Sequence, residues 1–279
     1  MILIADSGST KCVWALCNKE GIQISKHRTI GFNPKYTTIR AMISELEASE
    51  LSSFKEKVKS VIFYGAGCST KKKNNFIKNI LTEFFTKANI KVKHDLEGAY
   101  IAAYSGKPII CCILGTGSNS CLYDGEKAIE NAPSLGYILG DEASGNYFGK
   151  KLVNLYVNNQ LSPSLATDFG LWTSVSKEKL IENIYEVDRP NLLLATFFPF
   201  IYDNKQEPIF DKMLKDGVAE FFKLHIACYN NYQNYPLAFV GSVAYFLKDY
   251  LYEEAAKHKC TIDTIIKSPI KNIITKNFS

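Results

Sequence analysis

Several familiar signposts are missing from this sequence, and each absence excludes something. No C-x-x-C occurs despite eight cysteines, so neither a thioredoxin-like redox motif nor a paired-cysteine zinc site is expected. Cys111 and Cys112 are adjacent in an apolar run, where they read as small core residues. A reduced, cytoplasmic protein is the expectation. The first residues carry no basic segment or small-residue cleavage site, and the opening MILIA is far short of the roughly 20 apolar residues that cross a bilayer. No membrane association is expected. Arginine-rich segments are also lacking. Lys71-Lys72-Lys73, the densest basic run, reads as a solvated turn before a helix. The net charge of +5 therefore gives no reason to expect nucleic acid. No low-complexity stretch or long linker interrupts the chain.

What is present suits a globular protein of two domains: 279 residues, 46% apolar and 22% charged, at roughly 100–200 residues per domain. Residues 2–5 and 12–17 are apolar, β-rich runs joined by the turn DSGST, and IQISKHRTI alternates as a third strand. The loop GFNP leads to a helix near 36–48. VKSVIFYGAG reads as a buried strand, 72–87 as a helix, NIKVKHD as a short strand ending on Asp95, and LEGAYIAAYSG as a helix closed by Gly106. The order is β-β-β-α-β-α-β-α. A second half opens in the same manner with a strand, the turn GTGSN, a strand and the YDGEK hairpin. GDEASGNYFGKKLVNLYVNN predicts a helix entered through acidic residues, which suit a helix N-terminus. Helical periodicity continues over 177–202 and 206–233. YPLAFVGSVAYFLKDYLYEEAAK reads as a strand, a Gly-Ser turn and one long helix. A strand and a short helix after Pro269 end the chain.

The two Gly/Ser/Thr turns direct backbone N–H groups at one point, which suits a polyphosphate. DSGSTK is not a P-loop, because it lacks the G-x-x-x-x-G-K-[ST] spacing and runs into a strand. A structural hairpin would account for it equally, except for Asp6. A carboxylate beside a phosphate cradle is unfavourable unless a cation lies between them, and Mg²⁺ binds through one or two carboxylates plus water and phosphate. Gly115-Thr116-Gly117-Ser118-Asn119 repeats the turn without a carboxylate. Gly241-Ser242 opens a helix where backbone can approach a ring or a phosphate, or simply joins a strand to a helix. Asp95, at a strand end, is a base or an N-cap. His94 should face the other side of its strand. Asp141-Glu142 lie in a glycine-flanked loop, and Asn33 reads locally as a turn residue.

Taken in order, IADSGSTK, GFNP, FYGAGC, HDLEGA, ILGTGSNS, LGYILGDEASG and FVGSVA resemble the BadF/BadG-type ATPase family, in its N-acetylglucosamine kinase-like branch, over nearly the whole chain. The spacing of LGTGSN to GDE-x-S is the most specific part. The resemblance implies an α/β protein of two ribonuclease H-like (actin-like ATPase) domains, each a mixed five-stranded sheet flanked by helices, with a cleft between them. The domains would be 1–106 with the terminal helix 268–279, and 107–267. It further implies an ATP-dependent amino-sugar kinase, with N-acetylglucosamine the first substrate and N-acetylmuramic acid or another hexose the alternatives. Phosphate and ATP contacts would fall on Ser7, Gly8, Ser9, Thr10, Lys11, Gly115, Thr116, Gly117, Ser118, Gly241 and Ser242. Asp6 would hold Mg²⁺ through water, Asp95 would be the catalytic base, and Asn33, Asn119, Asp141 and Glu142 would contact the sugar. A homodimer is expected on the same ground, with LLLATFFPFIY read as buried core rather than interface. Ala143 stands where relatives commonly have glycine, and PSLGY lacks the Gly-Trp-Gly of the animal kinases. Other members of the family are ATPases that activate 2-hydroxyacyl-CoA dehydratases through a shared iron–sulfur cluster. Adjacent strand residues Cys111 and Cys112 cannot both face one cluster, which places that reading second.

Overall fold

The computed structural model describes residues 1–278. One compact unit comprises residues 1–111, 123–129 and 268–278, and a second comprises 112–122 and 130–267. In the first, β1 (Ile2–Ser7), β2 (Lys11–Cys17) and β3 (Gln23–Ile30) form a meander. Then follow α1 (Ile39–Ala48), β4 (Ser60–Gly65), α2 (Lys71–Phe84), β5 (Asn89–His94) and α3 (Asp95–Ala103), the expected β-β-β-α-β-α-β-α order. The sheet order is β3-β2-β1-β4-β5. β1 is antiparallel to β2 and parallel to β4, which is parallel to β5. Parallel neighbours need a crossover, and helices on the sheet faces supply it. The patterning follows position in the sheet: β2 is buried from Cys12 to Cys17, whereas edge strand β3 buries only His27 and Thr29. Trp14 sits in the core with Phe32 and Phe63, and its ring N–H donates to Thr29 Oγ1 at 2.9 Å.

The basic run is not a turn. Thr70 caps α2 by accepting from Lys73 N, and Lys71–Lys73 form the helix's first turn.

The second sheet runs β10-β9-β6-β7-β8. It is built from β6 (Ile109–Leu114), β7 (Ser118–Tyr123), β8 (Ala128–Asn131), β9 (Leu237–Val240) and β10 (Ile262–Ile266). Between β8 and β9 come α4 (Gly136–Leu139), α5 (Gly145–Val157), α6 (Pro163–Thr173), α7 (Lys177–Glu186), α8 (Pro190–Ala195), α9 (Phe198–Asp203) and α10 (Pro208–His225). The chain ends with α11 (Ser242–Phe246), α12 (Lys248–Lys257) and, after β10, α13 (Ile270–Phe278).

Helical detail departs from the periodicity at identifiable places. The stretch 177–202 is three helices, because α8 begins at Pro190 and α9 has Pro199 as its second residue, which fits a first turn but not a helix interior. The stretch 206–233 is α-helical only to His225, with a short 3-10 turn over Tyr232–Asn234. Helix α6 lacks a matching expectation, although Ser162-Pro163 is a capping pair whose serine accepts from Leu165 N. The acidic residues do not enter α5: Ser144 is its cap, accepting from Tyr147 N, and Asp141 and Glu142 lie ahead of it. The long helix after Gly241 divides at Leu247, yet Leu247 N→Val243 O and Leu251 N→Leu247 O bonds run through the division. From 192–202, Leu194, Phe197, Phe198, Phe200 and Ile201 are buried. None of the eight cysteines is in a disulfide, and Cys68, Cys111, Cys112 and Cys121 are buried. Among the described residues no helix is long and apolar enough to cross a membrane.

Candidate active site

In the first unit the register sets the site. Ser7, Gly65 and His94 pair across β1, β4 and β5, so the carboxyl ends of these parallel strands are level. Ligands of open α/β sheets gather at that end. Asp6 is the penultimate residue of β1, and Asp95 follows the last residue of β5 as the first of α3. At about 4.8 Å per strand the two backbones are roughly 10 Å apart. The charge of Asp95 reaches Asp6: burial first, and then Asp95, push the Asp6 pKa up to about 7, against a lowering by Lys11. Two carboxylates crowded at a sheet end favour a cation. Magnesium fits this donor set, since it needs only one or two carboxylates when phosphate and water complete its shell. Among the described residues no three His, Cys, Asp or Glu side chains converge as a closed metal site.

The Ser7–Lys11 turn is tight, with Gly8 N donating to Lys11 O at 3.0 Å. Its underside rests on the segment after β3: Gly31 N donates to Thr10 O at 3.1 Å, and Phe32 N to Ser7 Oγ at 2.9 Å. A Cβ on Gly31 would stand 2.2 Å from Gly8 O, so only glycine fits there. Asn33 Nδ2 donates to Ser9 Oγ at 3.0 Å, while its Oδ1 accepts from Lys35 N. Asn33 is thus both the turn residue of GFNP and a brace for the phosphate-type turn. Asp95 Oδ1 accepts from Leu96 N at 2.9 Å. His94 does not face away: its Nε2 lies 3.2 Å from Asp95 Oδ1, because the chain bends from strand into helix between them.

In the second unit, the turn after β6 is held by the start of α5. Gly145 N donates to Gly115 O at 2.8 Å, and Asn146 N to Thr116 O at 3.1 Å. Asp141, at φ 61°, accepts from Ser118 N at 3.3 Å and from Asn146 Nδ2 at 2.7 Å. Burial raises its pKa, opposed by these two hydrogen bonds. Gly241 lies against the same turn: at φ 127°, a Cβ there would be 2.1 Å from Leu114 O. Ser242 is the exposed first residue of α11. Asn119 Oδ1 accepts from Ser120 N at 2.9 Å. Gly115, Thr116, Gly117, Ser118, Asp141 and Gly241 are therefore brought together.

Glu142 is not among them. It is buried and bonds to His225 Nε2 at 2.8 Å. Sequence reasoning set His94 on the wrong side of its strand and did not single out Gly31, Asn146 or His225. Only Gly31 left a trace, as the glycine of GFNP.

These sites and sheets define the class: an actin-like ATPase fold of the kind found in sugar kinases. A crystal structure from Porphyromonas gingivalis, named as a putative N-acetylglucosamine kinase, matches with a TM-score of 0.92 at 32% identity, covering 100% of this chain and 99% of the other. The chain belongs to the family of that protein. A second crystal structure of the same name, from Chromobacterium violaceum, matches with a TM-score of 0.71 at 17% identity over 99% and 98% of the two chains. A ROK family glucokinase from Streptomyces griseus, in complex with glucose and AMPPNP, shares the fold with a TM-score of 0.57 at 15% identity over 99% and 97%. No family model and no curated protein matches the chain.

Proposed function

We propose that this protein is an ATP-dependent amino-sugar kinase of the BadF/BadG type, with N-acetylglucosamine as its first substrate. One observation carries the reading: Asp6 and Asp95 come to the same end of one sheet, beside the Ser7–Lys11 turn, and the charge of Asp95 adds to burial in raising the pKa of Asp6. Membership of a sugar-kinase family supports it.

Phosphoryl transfer depends on positioning and charge neutralisation more than on a strong base. The Ser7–Lys11 turn would bind phosphate oxygens, with Lys11 adding a positive charge. In the second unit, Gly115–Ser118 would serve the phosphates and Gly241-Ser242 the adenosine side. Asp6 would hold magnesium through water. That ion, when bound, supplies charge neutralisation at the phosphates. Asn33, Asn119 and Asp141 would orient the sugar. Asp95 would take the proton from a sugar hydroxyl as its oxygen bonds to the γ-phosphorus and the bond to ADP breaks. Because the proton leaves late, the base does not need a raised pKa. Glu142, turned toward His225, would serve the loop rather than the sugar.

The test is a coupled ADP-release assay over N-acetylglucosamine, N-acetylmuramic acid, N-acetylmannosamine, glucosamine and glucose. Turnover on an amino sugar is expected, falling about 10²–10⁴-fold in Asp95→Asn, as loss of a general base does. ATP binding without turnover on any sugar would rule the reading out.

A further inference from the structure

One side chain that no motif singles out stands between the two ligand-facing segments of the second unit. Asn146 is fully buried. Its Nδ2 donates to Thr116 O at 2.6 Å and to Asp141 Oδ2 at 2.7 Å, so both hydrogens of one amide are committed, one to each segment. The two acceptors fix which amide atom is nitrogen, since both are oxygens that need a donor. Asn146 Oδ1 and the neighbouring Ser118 Oγ are buried without a partner. Buried polar atoms left unpaired are costly and seldom accidental. Asp141, for its part, stands at a left-handed φ that favours glycine. Its carboxylate is held in place from outside, by Ser118 N on one oxygen and by Asn146 on the other.

We propose that Asn146 is a positioning residue that couples the Gly115–Ser118 phosphate turn to the Asp141 carboxylate, so that nucleotide and sugar binding depend on one shared amide. This rests on the kinase reading above. Removing the amide takes one hydrogen bond from each segment: Thr116 O keeps the backbone bond from residue 146 but loses its side-chain donor, and one oxygen of Asp141 loses its donor. A residue that served one ligand alone would disturb one KM. Asn146 should disturb both.

The charge balance at Asp141 supplies a readout that simple loss of packing would not move. Besides the two hydrogen bonds, Lys150 of α5 favours its ionised form and Glu142 opposes it. In Asn146→Leu, similar in size but without donors, the KM values for ATP and for the sugar should both rise about tenfold, the lower range for residues that orient a site from behind. The acid limb of the pH profile should move to higher pH, because a hydrogen bond to the carboxylate is gone. Asn146→Asp is the discriminating variant. Protonated at the acid end, its single carboxyl O–H can donate to Asp141 but leaves Thr116 O without the side-chain bond, so both KM values should return only part of the way toward wild type. At the alkaline end it ionises against Asp141, and both should rise beyond those of Asn146→Leu.

The experiment measures both KM values across pH in the three full-length proteins, with circular dichroism melts to verify folding. If Asn146→Leu does not fold, Asn146→Asp alone decides. A change in only one KM, or an Asn146→Asp profile parallel to wild type, overturns the proposal while the kinase reading stands. Wild-type protein that phosphorylates no sugar overturns both.

Discussion

At the scale of single residues, Asp6 has the clearest consequence for solution behaviour. Its pKa of about 7 in the folded chain, against an ordinary value of 3.8, means that folding takes up a proton between those pH values. Stability from this group is therefore fully present below the unfolded value and is lost as pH rises through 7. Denaturant melts of the ligand-free protein should show stability falling as pH rises from 3.8 to about 7, by up to about 1.4 kcal/mol per pH unit, and levelling off above that. Asp6→Asn should remove that component, and a slope unchanged in the variant would exclude Asp6 as its source. Gly31→Ala makes a complementary case without charge. Its Cβ would meet Gly8 O at 2.2 Å and Ser9 O at 2.5 Å, so the Ser7–Lys11 turn must move. Nucleotide affinity measured by calorimetry should fall at least about tenfold, since misplacement by an ångström is enough to cost two orders of magnitude in a site. Unchanged affinity would mean that this turn does not bind phosphate. A carboxylate ending a strand and a glycine turn can be seen in a one-dimensional pattern. Asn146 and His225 cannot, because Asn146 joins Asp141 to Thr116, 30 residues away, and His225 meets Glu142, 83 residues away, and only folding brings them near.

Among elements, the strands were far more legible than the helices. Apolar runs such as 2–5 and 109–114 are bounded by turn residues, and burial in a sheet centre makes them continuous. Helix ends depend on chemistry that periodicity does not contain. Prolines 190 and 199 divide one apparent helix into three segments, and Ser144 rather than the acidic pair starts α5. The acidic loop shows why: Asp141 and Glu142 point to opposite duties, one to the turn after β6 and the other to α10. Glu142 ties the loop to α10 through His225, whose ring stacks on Phe221 at 4.7 Å and whose carbonyl accepts from Ser120 Oγ. Removing one partner from a buried hydrogen-bonded pair leaves the other unsatisfied, at a cost of about 1–3 kcal/mol. Glu142→Ala and His225→Ala should each lose about that much in urea unfolding, and the double variant should lose much less than their sum. Additive losses would show that the pair does not act as one.

For the whole molecule, the chain returns at its end to where it began. Helix α13 lies on α3 and β1 of the first unit, burying Ile270, Ile273 and Ile274. Asn272 Nδ2 donates to Ala102 O at 3.2 Å, and Asn277 Nδ2 to Tyr64 Oη at 3.2 Å. Tyr64 is the register partner of Asp6 on β4, so the terminal helix supports the strand next to the candidate site. Sequence shows that a helix follows Pro269 but not what it covers, because an amphipathic face looks the same whichever surface receives it. Burying three isoleucines contributes roughly 1.5–3 kcal/mol each, a large share of the 5–15 kcal/mol that typically holds a domain folded. A chain ending at Lys267 should therefore populate an unfolded first unit. Tryptophan fluorescence reports on that unit through Trp14, and Trp172→Phe, a change at a half-exposed ring in the second unit, removes the other signal. In the truncated protein the Trp14 transition should move to much lower urea, while the circular dichroism transition of the second unit should move less. A Trp14 midpoint unchanged by truncation would mean that α13 is an accessory, and that the first unit holds Asp6 and Asp95 in place without it.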